Sequence, residues 1–431
     1  MTSGQLNCPL GFYLLKGLLE DEMTDTHQDF GEQFVRLALE IDKHLPGYVD
    51  AYFGPEDWKA RSQQGGKQPL SNLTDQINQL AKDISQADAL DPQRRDYLAR
   101  HLTAMQMSLR LLSGDNVSLA DEAEALYDVR PKWQEEANFE EAHKLLEEVL
   151  PSGGSLRERM LAWKRSLEIP VEKAKELLPI ITEKLRTLAN QKFNLPEGES
   201  FTVEFVSDQP WMAYNWYLGN SKSRIDINTD IPMRVSSLPD LIAHEGYPGH
   251  HTDLSIKEKK LVDELRYYEF TVNLLKAPSA VMAEGIAENA LETLLTEEER
   301  EEWFRAEILP YAGMSHIDPK RMLAERKARR KLSGVAGNAA FMLHDQRKSE
   351  EEIIQYLQRY DLASFSEARQ TIRFISNPLD RSYIFTYHVG YELLEELFQG
   401  VDRDTYFKRL IEEPVTPSQV RKWIANKNHL N

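Results

Sequence analysis

The residues best suited to chemistry lie in one short stretch, positions 244 to 251, which reads HEGYPGHH. It places three of the chain's eleven histidines around a single glutamate, Glu245. Imidazole nitrogens and carboxylate oxygens are common ligands of zinc and of other transition metals. Proline and glycine cost about 3 and 1 kcal/mol inside a helix, so their presence here argues for a use other than helix stability. The stretch therefore indicates a metal site.

The spacing of these histidines differs from that of the usual zinc-binding helix. In the pattern H-E-x-x-H, two His one helical turn apart hold the metal and the Glu activates a water. Here Pro248 occupies the position of the second His, and on a regular helix His250 would point away from His244. Because Pro248 clashes with the carbonyl of His244, we expect the helix to break or bulge. Such a bulge would bring His250 beside His244 as the second ligand, with His251 as the alternative.

A third ligand is expected from a separate helix, because catalytic zinc commonly takes three protein ligands and a water. The segment 281–290 contains Glu284 and Glu288, which are four residues apart and therefore share one helical face. The rest of the segment is largely apolar, and unpaired buried carboxylates are costly, so these two are expected to be inside for a purpose. We assign Glu284 as the third ligand and Glu288 as the acceptor for the free ring N–H of a ligand histidine.

The motif resembles the H-E-x-x-P-G-H-H hallmark of a large, mostly bacterial family of unknown function, whose members resemble gluzincin-type zinc metallopeptidases. Further stretches agree with that family in their order: Asn215 to Asp230 followed by Pro232, the motif, Ala283-Glu284-Gly285, Leu343-His344, and Ser382-Tyr383 to Gly390. The likeness spans residues 200 to 395 and, weakly, the helical N-terminal half. Where the family usually continues Glu-Gly-Trp-Ala, this chain has Ile286 in place of Trp, so its substrate pocket is expected to differ.

The resemblance implies a zinc-dependent hydrolase with one Zn²⁺ per chain, a metallopeptidase that cleaves short peptides or other amides. Glu245 is expected to be the general base that takes a proton from a metal-activated water. Arg373 and Arg381 are candidates to hold a substrate carboxylate. Donors for the transition-state oxyanion are expected among four side chains, of which the resemblance favours the first two: His344, Tyr383, Tyr387 and His388.

Two other functions remain open. Two His and one carboxylate also form the metal-binding triad of non-haem iron enzymes. Glu245 separates this alternative from a hydrolase, because only the hydrolase needs a base for water. The metal could instead be structural in a non-catalytic protein, and a fourth ligand such as His251 would indicate that.

The elements that must position these residues are mainly helices. Apolar residues recur at helical spacing over 28–190 and again after residue 279, whereas alternating segments at 201–206 and 224–229 predict two strands. We therefore predict a mainly α, multi-helix fold with a small β-sheet at about 201–229 next to the metal helix, and the resemblance makes it metallopeptidase-like. The turn 151–154 divides an N-terminal helical region, 1–154, from a metal-binding catalytic region, 155–431.

The strand around Ile225 to Asn228 has an expected role of its own. In the metallopeptidases that this chain resembles, a strand just upstream of the metal helix pairs its edge with an extended peptide substrate. We expect the edge of this strand to face the metal in the same way. The alternative is a small hairpin packed under the helices.

Composition limits the partners. The 431 residues carry a net charge of −18, which disfavours nucleic acid and anionic membrane surfaces as partners because both would repel the protein. The apolar run 9–19 is too short to span a bilayer and is interrupted by Lys16. Cys8 is the single cysteine and cannot form an intramolecular disulfide, so we expect a cytoplasmic protein. The oligomeric state and the physiological substrate stay open.

Overall fold

Helices make up most of the structure, as the apolar periodicity predicts. The computed structural model describes residues 30–209, 211–378 and 380–428, and Cys8 and the apolar run 9–19 lie outside this part. The elements up to residue 149 are α1 (30–44), β1 (Val49–Tyr52), α2 (Glu56–Gln64), α3 (Leu70–Gln86), α4 (Pro92–Leu112), α5 (Leu119–Tyr127) and α6 (Glu136–Val149).

The middle of the chain adds the strands. Its elements are α7 (Leu156–Ser166), α8 (Val171–Phe193), β2 (Ser200–Val206), β3 (Ala213–Gly219), β4 (Lys222–Asn228), α9 (Leu238–Glu245), α10 (His250–Lys257), a π-helix (Glu258–Glu264), a 3₁₀ helix (Tyr268–Thr271) and β5 (Val272–Leu274).

The last third is again helical. Its elements are α11 (Pro278–Glu288), α12 (Ala290–Leu294), α13 (Glu297–Trp303), a π-helix (Phe304–Ile308), α14 (Leu309–Tyr311), α15 (Pro319–Arg330), α16 (Val335–His344), α17 (Glu350–Tyr360), α18 (Phe365–Ser376), α19 (Ile384–Phe398), α20 (Arg403–Glu412) and α21 (Pro417–Asn428). Within the described ranges, no helix combines the length and apolar composition needed to cross a membrane.

The smaller of two hydrophobic cores lies among α1, α3 and α4. On α3 the buried residues recur at the three- and four-residue intervals that form one helical face: Leu73, Ile77, Leu80 and Ile84. Strand β5, from far along the chain, completes this core. A buried ion pair joins the same regions, because Arg94 of α4 donates to both carboxylate oxygens of Glu269 at 2.6 and 2.8 Å.

The larger core draws on both regions that the sequence predicts. Helices α5 and α6 contribute buried residues to it, and so do helices from α7 to α21. The predicted boundary at 154 falls in the loop between α6 and α7. The N-terminal helices therefore pack directly against the second region, with α5 against α11 and α6 against α15.

The three-stranded sheet corrects the prediction about its edge. Its order is β2–β4–β3, with β2 parallel and β3 antiparallel to β4. The segment Ile225 to Asn228 lies in β4, which is paired on both sides, so the expectation that its edge faces the metal is wrong. The edge strands are β2 and β3, and β3 pairs with β4 through the tight turn Asn220-Ser221, where both residues have positive φ. No strand is predicted over the residues of β3, which form an aromatic segment between the two predicted strands.

Two glycines allow α11 and α19 to meet backbone to backbone. A Cβ at Gly285 would lie 2.7 Å from the carbonyl oxygen of Gly390, and a Cβ at Gly390 would lie 2.6 Å from that of Val281. Any side chain at either position would push the helices apart. This contact sets Glu284 of α11 against the start of α19.

His101 of α4 makes the stability of the fold depend on pH. Its ring is buried, stacks on Tyr97 with centroids 3.8 Å apart, and has its Nδ1 2.8 Å from the carbonyl oxygen of Tyr97. Burial lowers its pKa from 6.5 to about 4, because the folded protein disfavours the charged imidazolium. The unfolded chain therefore binds a proton that the folded chain excludes between pH 6.5 and 4, and stability is lost as pH falls through that window.

We predict that His101→Phe will retain stability better than the wild type as pH falls from 7 to 4. The shift corresponds to about 3 kcal/mol in total, at about 1.4 kcal/mol for each pKa unit. Urea unfolding across this pH range measures it, with the exposed His316→Gln as the control. Parallel pH profiles for His101→Phe and the wild type would contradict the assignment.

Candidate metal centre

The HEGYPGHH motif breaks the helix, as its proline and glycines predict. α9 ends at Glu245 and α10 begins at His250. Between them a Cβ at position 249 would lie 1.9 Å from the carbonyl oxygen of His244, so only glycine fits there. The N–H of Gly249 donates to the carbonyl of Ala243 at 2.8 Å. This turn places His250 beside His244.

His244, His250 and Glu284 converge in the structure. One ligand atom from each lies within 4.8 Å of the other two. The two imidazole rings are nearly perpendicular, with centroids 4.7 Å apart. Oε2 of Glu284 lies 3.4 Å from Nε2 of His244, and Oε1 lies 3.9 Å from Nε2 of His250. The structure therefore brings together the three predicted ligands, and metal binding by them stays a prediction.

Two features of the cluster suit a zinc ion: the types of its ligand atoms, and a buried carboxylate oxygen that lacks a hydrogen bond. Glu284 is 4% exposed, and its Oε1 accepts a hydrogen bond from the Tyr383 hydroxyl at 2.7 Å. Its Oε2 is buried and receives no hydrogen bond from any described residue. A buried carboxylate oxygen without a donor is costly, and a cation at this position would remove the cost. Two imidazoles and one carboxylate are a common set for catalytic zinc.

The two histidines differ in charge when no metal is bound. Burial pulls the pKa of His244 down, but the adjacent carboxylates Glu284, Glu245 and Glu288 outweigh it and raise the pKa to about 10. For His250 burial prevails and lowers the pKa to about 4. A metal ligand must be deprotonated, so metal binding would displace the proton that His244 carries.

Glu245 is buried next to the cluster, where the predicted base is expected. Its backbone carbonyl accepts a hydrogen bond from the Asn215 amide at 2.7 Å, which ties β3 to the end of α9. Burial raises the pKa of the Glu245 carboxyl to about 7, with His244 opposing and Glu284 reinforcing the shift.

Two further predicted residues lie at the cluster. Glu288 has Oε1 3.7 Å from Nδ1 of His244, as expected for a carboxylate that orients a ligand histidine, and Arg330 holds its other oxygen at 3.1 Å. Tyr387 lines the space beside His244 and Glu245. Tyr383 is also present, but its hydroxyl is engaged with Glu284.

Three predicted site histidines lie elsewhere. Nε2 of His344 is 2.6 Å from the carbonyl oxygen of Ile375, and the residue lines neither cavity at the cluster. His388 follows Tyr387 by one helical position, so it faces the other side of α19, where it packs against Phe385. His251 is fully buried, with Nδ1 2.8 Å from Ser223 Oγ and Nε2 2.9 Å from Glu199 Oε2. Of the two alternatives for the second ligand, the geometry favours His250.

The two arginines predicted to hold a substrate carboxylate are also placed otherwise. Arg373 is exposed and lines neither cavity at the cluster. Arg381 pairs with the carboxylate of Glu122 through both Nε and Nη2. Spacing along the chain gave no indication of either outcome, because both depend on how α18 and α19 pack.

Two cavities border the cluster: His244, His250 and Glu284 all line the first, and His244 also lines the second. One has a volume of about 230 Å³ and is lined in part by Asp50 and Tyr97 from the N-terminal region. The other has a volume of about 720 Å³ and extends along α15 past Arg330. Both are lined by His244, Glu245, Trp211, Ala213, Phe374 and Tyr387. A ligand could therefore extend past the cluster on both sides.

Several residues of the smaller cavity were missed by the sequence analysis. Asp50 of β1 accepts hydrogen bonds from the Tyr214 hydroxyl and, at 3.0 Å, from the Asn273 amide. The aromatic run around Tyr214 is visible in the sequence, but its pairing with Asp50 joins positions 164 residues apart and leaves no local signal.

We predict that His250→Ala will abolish stoichiometric zinc, because it removes a ligand, whereas His251→Ala will keep about one zinc per chain. The second change should instead lower stability by about 1–3 kcal/mol, since it leaves buried polar partners unsatisfied. Elemental analysis and urea unfolding of both variants measure this. Loss of zinc from His251→Ala with retention by His250→Ala would reverse the ligand assignment.

Comparisons with known proteins bear on the fold alone. No protein-family model matches the sequence, and a search of curated proteins gives no match. A solved structure described as a "putative lipoprotein" from Colwellia psychrerythraea is similar, with a TM-score of 0.51 and 15% identity over 82% of this chain. This chain spans 66% of that protein's chain. A second, a "putative lipoprotein of unknown function" from Shewanella oneidensis, has a TM-score of 0.45 and 12% identity, covering 91% of this chain and 81% of that one.

Proposed function

We propose that this protein is a zinc-dependent hydrolase, a metallopeptidase that cleaves short peptides. The observation that carries the proposal is the convergence of His244, His250 and Glu284 beside the buried carboxylate of Glu245, between two cavities. A zinc ion held by these residues would polarise the scissile carbonyl and acidify the attacking water. A metallopeptidase-like fold is part of the same proposal.

Glu245 supports the hydrolase over its alternatives. A non-haem iron enzyme would use the same three ligands but has no need of a carboxylate base beside them. A purely structural zinc would take a fourth protein ligand. His251, the residue suited to that role, is occupied by Ser223 and Glu199.

The proton transfers are assigned to Glu245. Its carboxylate would accept a proton from the attacking water and return it to the departing amine. The oxyanion that develops on the scissile carbonyl needs a donor. Tyr387 suits this better than Tyr383, because the Tyr383 hydroxyl is engaged with Glu284, whereas Tyr387 lines both cavities.

An extended peptide fits the shape of the site. The free edge of β3 borders both cavities through Ala213, so a peptide could pair with this strand and run past the cluster. The smaller cavity, at about 230 Å³, is below the roughly 300–1,000 Å³ of usual ligand pockets. This small volume favours short substrates over folded proteins.

A cytoplasmic location belongs to the proposal, and it rests on the single cysteine. The alternative is attachment to a membrane, because the similar Colwellia psychrerythraea protein is described as a "putative lipoprotein". Fractionation of native cells into soluble and membrane parts distinguishes the two locations.

We predict that Glu245→Gln will lower kcat by at least ~10²-fold while zinc content and melting temperature stay near those of the wild type. The amide keeps the size of the side chain but cannot accept a proton. The assay uses a mixed library of short peptides, with the exposed Glu298→Gln as the control. Full activity in a zinc-loaded Glu245→Gln protein would contradict the mechanism, and an inactive wild type would contradict the substrate class.

A separate prediction concerns Tyr387. Its replacement by Phe should lower kcat by about 10²-fold with zinc retained, because the oxyanion loses a donor. Tyr391→Phe, one turn further along α19, is the matched control, since that ring packs on Arg330. Equal kcat values for Tyr387→Phe and the control would move the oxyanion role to another residue.

A further inference from the structure

Glu122 of α5 makes an unusual set of buried contacts. Its side chain is fully buried in the interior. Its carboxylate accepts hydrogen bonds from both Nε and Nη2 of Arg381 and, at 2.7 Å, from the hydroxyl of Ser382. It lines neither cavity at the cluster, so it cannot touch a ligand there.

These contacts hold the residues immediately before Tyr383. Because Arg381 and Ser382 are fixed on Glu122, the backbone that leads into Tyr383 is fixed as well. The Tyr383 hydroxyl then donates to Oε1 of Glu284 at 2.7 Å. A second residue of α5 supports the same ring, since Tyr127 meets Tyr383 edge to face with centroids 6.2 Å apart.

Glu122 also reaches the segment that carries Glu284. Nζ of Lys276 lies 3.9 Å from Oε1 of Glu122, and the lysine is 2% exposed. Lys276 stands two residues before α11 begins at Pro278. The carboxylate of Glu122 thus contacts the residues just before α11, which carries Glu284, and the residues just before α19, where Tyr383 binds Glu284.

We propose that Glu122 is a positioning residue for the metal centre, acting through Tyr383 on Glu284. The inference rests on the proposed metal centre. Hydrogen bonds between charged groups are strong and directional, and buried networks of them hold a single geometry. Glu122 fixes Tyr383, Tyr383 occupies Oε1 of Glu284, and Oε2 is left directed at the metal position. The N-terminal region thereby sets the affinity of a site whose ligands all lie beyond residue 240.

A double-mutant cycle on zinc affinity tests this. We expect Glu122→Gln and Tyr383→Phe each to raise the zinc dissociation constant about tenfold, the lower end of the effect of residues that orient ligands. The combined variant should bind zinc no more weakly than Tyr383→Phe alone, because both changes remove the same restraint. Glu124→Gln is the matched control, since Glu124 lies on the same helix, is exposed and pairs with Arg130.

The outcomes separate the possibilities. Additive losses, about a hundredfold in the combined variant, would overturn the action through Tyr383, and wild-type affinity in Glu122→Gln would overturn the role altogether. If Glu122→Gln does not fold, Ser382→Ala replaces it in the cycle and removes one contact without leaving a buried charge unpaired. A wild type that binds no zinc would overturn the proposed function and this inference together. If the wild type binds zinc and Glu122→Gln has the same dissociation constant, this inference alone is overturned.

Discussion

The contact between position 249 and the carbonyl of His244 is the constraint on which the site depends. A helix that continued through the motif would carry His250 to another face, and no rotation of its side chain could correct that. The turn instead folds α10 back onto the last residue of α9, so that histidines six positions apart face each other. Gly249 makes this possible because it has no Cβ to collide with the carbonyl. The geometry of the two histidines is therefore a property of the backbone.

The rest of the site is assembled by long-range packing. The close crossing of α11 and α19, which Gly285 and Gly390 permit, delivers Glu284 to the histidines. Strand β3 closes another side and β1 supplies Asp50. Each of these elements is stabilised mainly by the hydrophobic cores, and the polar contacts then select one arrangement among those the cores allow. The site accordingly draws on most of the described length of the chain.

The parts that could be predicted from the sequence are those with a local cause. The break at Pro248 and the shared face of Glu284 and Glu288 follow from helical geometry over fewer than eight residues, whereas the choice of His250 over His251 as the partner of His244 depends on the conformation of the turn. The order of strands does not follow from local geometry, because pairing partners are chosen by tertiary contacts, and so β4 was wrongly expected at the edge. The position of His344, with its ring against the carbonyl of Ile375, has the same origin. A histidine in a helix gives no indication of which neighbour its ring will meet.

The hydrogen bond from Asn215 to the carbonyl of Glu245 couples the edge strand to the last residue of α9. This hydrogen bond fixes the position of β3 relative to Glu245, the proposed base. Pairing with β3 would fix the register of a bound peptide, so that the same position along its backbone always lies beside Glu245. In the proposed peptidase, the bond that is cleaved would be set by its distance in residues from the peptide end in the smaller cavity, and side-chain identity would have a secondary influence.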